Sequence, residues 1–259
     1  MIFDMHMHVT PGQPVDPLLR AMDENGVEMG AICTVVKPGD DGDALNANVA
    51  AQVAAHPDRF VGLACVVPYE NDAPDQVRRW VQEEGLRGLK LHPSMQSFYP
   101  SEARVRPVIL AAAELEVPVL VHTGTVPIPG TRSRFDDPLE LDDLALEVPE
   151  ARLIVAHGDP LGDGPGIAAK HEHVYMDTTT TFARMCRLIP GVGEDTLRWM
   201  AMVSGVEGSG KVLYGSDAHA AKPERIAYNL EPLQALDVGA EAKARILGGN
   251  ARRLLGLDA

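Results

Sequence analysis

Short apolar runs alternate along the chain with longer segments in which apolar residues recur every three or four positions. The short runs are rich in Val, Ile and Leu and end at polar residues, a pattern typical of buried parallel strands. We predict eight strands: Ile2–His8, Met29–Val36, Phe60–Val67, Gly88–His92, Val117–His122, Leu153–His157, Val174–Asp177 and Val212–Asp217.

The segments between these strands carry helix start and stop signals, such as Asp43 before an alanine-rich run that stops at Pro57. The predicted helices are Asp43–His56, Asp72–Glu84, Ser101–Glu116, Asp136–Glu147, Thr181–Val203 and Pro223–Leu236.

The strand–helix alternation over 259 residues predicts an α/β fold, a (β/α)8 TIM barrel. A doubly wound sheet is the alternative, but it usually carries a glycine-rich phosphate-binding turn after the first strand. Here that turn, His8–Gly12, contains a single glycine. Because no internal repeat or linker interrupts the alternation, we expect one domain over residues 1–259.

The composition of the chain limits the kinds of partner that it can bind. The net charge of −14 argues against nucleic acid and anionic membranes, which require basic surfaces. No apolar run is long enough to span a bilayer, the N-terminus lacks a signal-peptide pattern, and three scattered cysteines suggest no disulfide framework. We therefore expect a soluble, cytoplasmic protein that binds a small molecule rather than nucleic acid or a membrane, with a homodimer as the assembly to test.

Histidines gather at the predicted strand ends. His6 and His8 are two residues apart on one strand, so their side chains point the same way. The C-termini of the strands meet at one mouth of a barrel. His6 and His8 are therefore expected to share a metal site there with the other polar residues at strand ends. These are Lys90, His92, His122, His157 and Asp217.

Several motifs, in order, resemble the amidohydrolase superfamily, in particular the amidohydrolase-2 branch that includes aminocarboxymuconate semialdehyde decarboxylase. They are His6-x-His8, His56-Pro-Asp-Arg-Phe-Val-Gly-Leu63, Gly88-Leu-Lys-Leu-His-Pro93, His122-Thr-Gly124, Gly215-Ser-Asp217 and Gly249-Asn-Ala-Arg-Arg-Leu-Leu-Gly256. The resemblance implies one divalent metal ion. Zn²⁺ is the expected ion, and Mn²⁺ or another first-row ion is the alternative. Its implied ligands are His6, His8, His122 and Asp217.

The resemblance also suggests roles around the metal. Asp217 and His157 are the expected catalytic residues, with Asp217 as a base and His157 orienting water or polarising the substrate. Lys90 and His157 become ligands only if two metals bind, in which case Lys90 would be carboxylated. With one metal, Lys90 and His92 would contact the substrate.

Two arginines follow the fifth predicted strand, in the loop Thr125–Phe135. Arg132 or Arg134 could clamp a substrate carboxylate in a bidentate contact, although solvated surface arginine is the favoured interpretation.

Three functions fit this ligand set. The first is hydrolysis of a C–O or C–N bond by metal-activated water. The second is non-oxidative decarboxylation of an aromatic or unsaturated acid, and the third, least favoured, is an inactive binding barrel. The shortness of the chain favours hydrolysis, because the resemblance associates larger loop insertions with the decarboxylases.

Overall fold

The computed structural model describes residues 1–204 and 208–257. All its paired strands are parallel. The strands are β1 (Ile2–His8), β2 (Val27–Cys33), β3 (Phe60–Gly62), β4 (Ala64–Cys65), β5 (Leu89–Leu91), β6 (Val119–Val121), β7 (Leu153–Val155), β8 (Val174–Asp177) and β9 (Val212–Leu213).

The strands close into a (β/α)8 barrel, which confirms the predicted fold. β3 and β4 occupy one barrel position, interrupted at Leu63, whose backbone N–H still donates to Ile32 O at 2.9 Å. The last strand meets the first through hydrogen bonds from Met5 N to Tyr214 O and from His8 N to Ala218 O, both 2.8 Å long. This closure joins the first residues of the chain to residues more than two hundred positions away.

Helices surround the strands. They are α1 (Asp16–Glu24), α2 (Gly42–Ala55), α3 (Ala73–Gln82), α4 (Pro93–Gln96), α5 (Arg106–Glu114), α6 (Leu139–Glu147), α7 (Gly164–Lys170), α8 (Thr181–Leu188), α9 (Val192–Ser204), α10 (Arg225–Ala235), α11 (Ala240–Ala244) and α12 (Asn250–Leu254). Among the described residues, no helix is both long and apolar enough to cross a membrane.

Two apolar clusters build the core. The larger packs outward strand residues such as Val119 and Val155 against helices, for example through Trp80 of α3. The smaller joins strand residues of the opposite parity, such as Leu120 and Ile154, to Leu254 of α12. This alternation is the packing expected of a barrel whose interior is filled by side chains.

One predicted helix is wrong in its extent. The segment Thr181–Val203 divides into α8 and α9, because Ile189 is extended before Pro190 and Gly191 follows with a φ of 81°. Proline has no backbone N–H, and it disfavours helical geometry in the preceding residue. Helices α1 and α7, which the sequence pattern did not predict, complete the first and sixth strand–helix units.

Candidate metal centre

Three predicted ligands meet at the mouth of the barrel, and we call His6, His8 and Asp217 the proximal group. His6 Nε2 lies 3.2 Å from His8 Nε2. Asp217 Oδ1 lies 3.1 Å from His8 Nε2 and 3.9 Å from His6 Nε2. The backbone supports this meeting, because Asp217 N donates to His6 O at 2.7 Å.

The spacing of the proximal group fits a divalent metal ion. Ligand atoms about 2.1 Å from a tetrahedral ion lie about 3.4 Å from one another, close to the three distances observed. Two imidazoles and a carboxylate form a donor set that suits zinc and other first-row ions, and three protein ligands leave coordination positions open.

Asp177, at the end of β8, orients His6. Its Oδ2 lies 2.8 Å from His6 Nδ1, and its Oδ1 accepts the backbone N–H of His157 at 2.8 Å. Burial alone would raise the pKa of Asp177, but the His6 ring and the hydrogen bonds from His6 and Thr179 lower it well below its usual range. Sequence reasoning gave Asp177 no role, although its position at a strand end was a usable signal.

Asp217 is held on its other side by Arg225. The Arg225 guanidinium donates to Asp217 Oδ2 at 2.5 Å and to its backbone oxygen at 2.7 Å. Burial would raise the pKa of Asp217, but the hydrogen bond from His8 and the charge of that ring hold the pKa well below its usual range. One carboxylate oxygen thus faces the histidines while the other is engaged.

Two residues of the first strands support His8 and His6. Cys33 Sγ lies 3.5 Å from His8 Nδ1 and donates to Met7 O at 3.3 Å. Burial alone would lower the pKa of His8, but Cys33 and Asp217 raise it to about 10. Asp4 Oδ1 accepts the backbone N–H groups of His6 and Ser216 at 3.1 and 3.0 Å, which joins β1 to the segment before Asp217.

Lys90 is buried beside the proximal group. Its Nζ lies 3.1 Å from His6 Nε2. Burial, together with the charge of Lys90, lowers the pKa of His6 to about 3. The His6 ring is therefore neutral at physiological pH, which is the form that binds metals, whereas a metal ion must displace a proton from the His8 ring.

The fourth predicted ligand, His122, lies in a different cluster. His92, His122 and Asp136, which we call the distal group, place their ligand atoms within 4.8 Å of one another, and all three are buried. The rings of His92 and His122 stack with centroids 3.9 Å apart. Burial is the main reason that the pKa of His92 falls to about 2 and that of His122 falls well below its usual value. Sequence reasoning missed Asp136 because it took this residue as the start of the predicted helix Asp136–Glu147, whereas in the structure Asp136 ends a short 3₁₀ helix, Ser133–Asp136.

His157 lies between the two groups. Its Nε2 is 3.0 Å from His122 Nδ1, its Nδ1 is 2.6 Å from Thr179 Oγ1, and its ring centroid is 5.2 Å from that of His6. Burial lowers the pKa of His157. Both ring nitrogens of His157 are thus held by neighbouring side chains, between the proximal and distal groups.

The two loop arginines lie outside this constellation. Arg132 and Arg134 are exposed, and the Arg134 guanidinium lies 5.2 Å from the centroid of the Phe135 ring. Their carboxylate clamp stays a prediction.

A cavity of about 760 Å³ opens beside His8, and its lining includes Lys37, Ile128 and His219. This volume suits a small organic substrate.

A comparison with protein-family models matches residues 3–257 to the amidohydrolase family. The chain belongs to the amidohydrolase family. Membership of this family, together with the fit of the proximal group to a divalent ion, identifies the protein as a metal-dependent enzyme, a hydrolase or a decarboxylase.

Solved structures with similar folds include two decarboxylases. A 5-carboxyvanillate decarboxylase from Novosphingobium aromaticivorans, complexed with manganese and 4-hydroxy-3-methoxy-5-nitrobenzoic acid, has a TM-score of 0.72 and 17% identity, covering 92% of this chain and 79% of that chain. A 2,6-dihydroxybenzoate decarboxylase complexed with 2,6-dihydroxybenzoate has a TM-score of 0.74 and 18% identity, covering 100% and 99%. An amidohydrolase II has a TM-score of 0.77 and 18% identity, covering 99% and 100%. At these identities the likeness establishes the fold alone.

Proposed function

We propose that this amidohydrolase is a lyase that removes carbon dioxide, without oxidation, from a hydroxylated aromatic or an unsaturated carboxylic acid. The observation that carries the proposal is the contact between Arg225 and Asp217. General-base catalysis of hydrolysis is most efficient when the pKa of the base lies near the working pH. Asp217, the base expected for hydrolysis, has one oxygen engaged by Arg225 and a pKa well below its usual range.

The two decarboxylases of similar fold support this choice, since they act on aromatic acids with hydroxyl groups. Their fold is shared by this chain over most of its length. This reverses the preference drawn from chain length, which favoured hydrolysis.

Each residue has a role in the proposed reaction. His6, His8 and Asp217 would hold the metal, for which Zn²⁺ and Mn²⁺ are the leading candidates. When bound, the ion would anchor substrate oxygens and stabilise negative charge. Lys90 would add a positive charge beside the substrate, 3.1 Å from His6 Nε2.

Decarboxylation breaks a carbon–carbon bond, and the electron pair stays on the carbon that loses carbon dioxide. That carbon must then receive a proton. We assign the donor role to His157, because Thr179 orients its Nδ1, its Nε2 lies 3.0 Å from His122 Nδ1, and its ring lies beside that of His6. A proton donor of this kind contributes about 10²–10⁴-fold to the rate.

The proposal is tested with chelator-treated enzyme reloaded with zinc or manganese. Hydroxybenzoates, including 2,6-dihydroxybenzoate and 5-carboxyvanillate, are compared with a panel of lactones, esters and amides. We expect metal-dependent release of carbon dioxide from at least one aromatic acid. Cleavage of a lactone, ester or amide without carbon dioxide release would show that the enzyme is a hydrolase.

The role of His157 has its own test. His157→Gln should lower kcat about 10²–10⁴-fold while metal content is unchanged. His56→Gln, which alters a ring packed on Phe60, is the control and should keep wild-type turnover.

A single domain, a homodimer and a cytoplasmic location stay predictions.

A further inference from the structure

His8 presents one ring nitrogen to the proximal group and leaves the other to a different neighbour. Its Nε2 lies 3.2 Å from His6 Nε2 and 3.1 Å from Asp217 Oδ1, so Nε2 is the atom that would bind the metal. A neutral imidazole carries its proton on one nitrogen, so a metal on Nε2 leaves that proton on Nδ1. The Nδ1–H group of His8 then needs an acceptor.

The sulfur of Cys33 is placed to be this acceptor. Cys33, the last residue of β2, pairs with His8, the last residue of β1, and Val9 N donates to Cys33 O at 2.9 Å. The ends of the two strands are therefore fixed side by side. Cys33 Sγ lies 3.5 Å from His8 Nδ1, within hydrogen-bonding distance for the larger sulfur atom. Among the described residues, no other group hydrogen-bonds to this nitrogen.

The thiol proton of Cys33 has an acceptor of its own. Cys33 Sγ donates to Met7 O, the backbone oxygen of the residue before His8, at 3.3 Å. With its proton directed to Met7 O, the sulfur keeps its lone pairs for the His8 Nδ1–H group. Since Cys33 is buried, water does not compete for the sulfur. The result is a hydrogen-bond chain from His8 through Cys33 to Met7 in which every donor meets an acceptor.

The two histidines of β1 are held by different kinds of group. His6 Nδ1 lies 2.8 Å from the carboxylate of Asp177, whereas His8 Nδ1 faces a thiol. The carboxylates of Asp177 and Asp217 together already match the charge of a divalent ion. A third carboxylate, in place of Cys33, would add negative charge that opposes the binding of an acidic substrate. A thiol orients the second ring without that charge.

We infer that Cys33 is a positioning residue for the metal centre, because its sulfur accepts the Nδ1–H group of His8 and so directs Nε2 towards the ion. The inference rests on the proposed binding of the metal by His6, His8 and Asp217. It does not depend on which bond the enzyme breaks.

Zinc affinity, measured by competition with a chromophoric chelator, tests this role without a substrate. Cys33→Val removes the acceptor and should lower zinc affinity about 10-fold. Cys33→Ser keeps a group that both accepts and donates, although its oxygen lies closer to the backbone, and should lose less affinity than Cys33→Val. A residue that only fills space would give the opposite order, because valine suits a buried apolar position better than serine.

Cys65→Val is the matched control. Cys65 is also buried in the barrel, but its sulfur accepts the backbone N–H of Val36 at 3.2 Å and hydrogen-bonds to no described histidine. Its replacement should leave zinc affinity unchanged. Should Cys33→Val fail to fold, Cys33→Ala removes the same acceptor, with melting temperature as the folding check.

Nuclear magnetic resonance of protein with ¹⁵N-labelled histidine reports the hydrogen bond itself. Zinc-loaded wild type should show a proton on Nδ1 of His6 and on Nδ1 of His8, and His8→Gln assigns the second signal. In Cys33→Val the His8 proton should exchange faster with water. The His6 proton, held by Asp177, should persist and serves as the internal reference.

Two outcomes would overturn the role of Cys33 alone. The first is a Cys33→Val protein with the zinc affinity of the wild type and an unchanged His8 proton. The second is a greater loss of affinity in Cys33→Ser than in Cys33→Val, which would indicate packing. Wild-type protein that binds no zinc would overturn the metal centre, and with it both this inference and the proposed function. The expected order of affinities supports the role of Cys33 even if no decarboxylase activity is found.

Discussion

Asp177 organises the mouth of the barrel through hydrogen bonds to ring and backbone nitrogens. It fixes His6 from the side away from the proximal group and also accepts the backbone N–H groups of His157 and Thr179. A carboxylate on one ring nitrogen selects the tautomer that leaves the other nitrogen free for a metal. Asp177 is thus a positioning residue for both His6 and His157.

We predict that Asp177→Asn lowers zinc affinity about 10–100-fold, because the amide removes the negative charge that orients His6. Zinc competition with a chromophoric chelator measures the effect. Asp159→Asn, which changes an exposed carboxylate in the loop after His157, is the control. Equal affinities for Asp177→Asn and wild type would show that His6 needs no carboxylate partner.

Arg225 limits the ability of Asp217 to coordinate a metal and to accept a proton. Because the guanidinium engages Asp217 Oδ2, a single carboxylate oxygen remains for the metal, and the carboxylate is a weak base. This contact joins the loop after the last strand to the start of α10, residues that sequence motifs alone did not connect.

At the scale of elements, a charged contact joins α6 to α7. Asp142 of α6 accepts from Lys170 Nζ at 2.7 Å, and its Oδ1 lies 2.6 Å from His171 Nε2. The hydrogen bonds from Lys170 and His171 lower the pKa of Asp142. Since its pKa is lower in the folded than in the unfolded protein, the stabilisation is complete above the unfolded value of about 4 and is lost as pH falls further.

Asp142→Asn should therefore lower the free energy of unfolding by about 1 kcal/mol at pH 7, with a difference from wild type that shrinks as pH falls towards 3. Urea unfolding from pH 7 to pH 3 measures it. Asp143→Asn, an exposed neighbour on α6, should leave stability unchanged. A difference that stays constant over this pH range would mean that the Asp142 contact does not titrate as described.

The break between α8 and α9 depends on Gly191 as well as on Pro190. Gly191 has a φ of 81°, and a side chain there would meet no atom closer than 4.0 Å. The cost of a side chain is therefore conformational.

We expect Gly191→Ala to destabilise the protein by about 1 kcal/mol, as measured by urea unfolding. Gly239→Ala is the matched control, since it also has open space around it but an ordinary φ of −55°. Equal stability of the two variants would contradict the conformational explanation.

At the scale of the whole molecule, the segment before α12 packs closely against the start of β1. A Cβ at Gly248 would lie 2.6 Å from Met1 O and 3.0 Å from Phe3 N, and both are backbone atoms that cannot rotate away. Only glycine allows this close approach at the start of β1, at the opposite end of the strand from His8.

Gly248→Ala should thus lower the free energy of unfolding by about 1–3 kcal/mol, because the two backbones must separate. Gly249→Ala is the control, since its Cβ would meet its nearest atom at an ordinary 3.4 Å. Zinc content at low temperature should be normal in both variants. Reduced zinc binding in folded Gly248→Ala would mean that the strand start and the metal centre are coupled.

The spacing of apolar residues predicted strands and helices well where a segment has either the strand pattern or the helix pattern throughout. The apolar run Val174–Asp177 matches β8 residue for residue, and the alanine-rich segment Asp43–His56 matches α2 within one residue at each end. The third strand and the helix Thr181–Val203 were predicted as single elements, because a short apolar run does not reveal an interruption and the helical period continues across Pro190.

By itself, the sequence determined the alternation of strands and helices and the shared direction of His6 and His8. Both follow from residue spacing along one chain segment. The family resemblance of the sequence already grouped Asp217 with these histidines. The tertiary structure alone decided that His122 lies with His92 and Asp136, and that Asp177 and Arg225 fix the ligands. These contacts join residues on different strands and loops, and their distances depend on barrel closure and side-chain rotation, which no local pattern encodes.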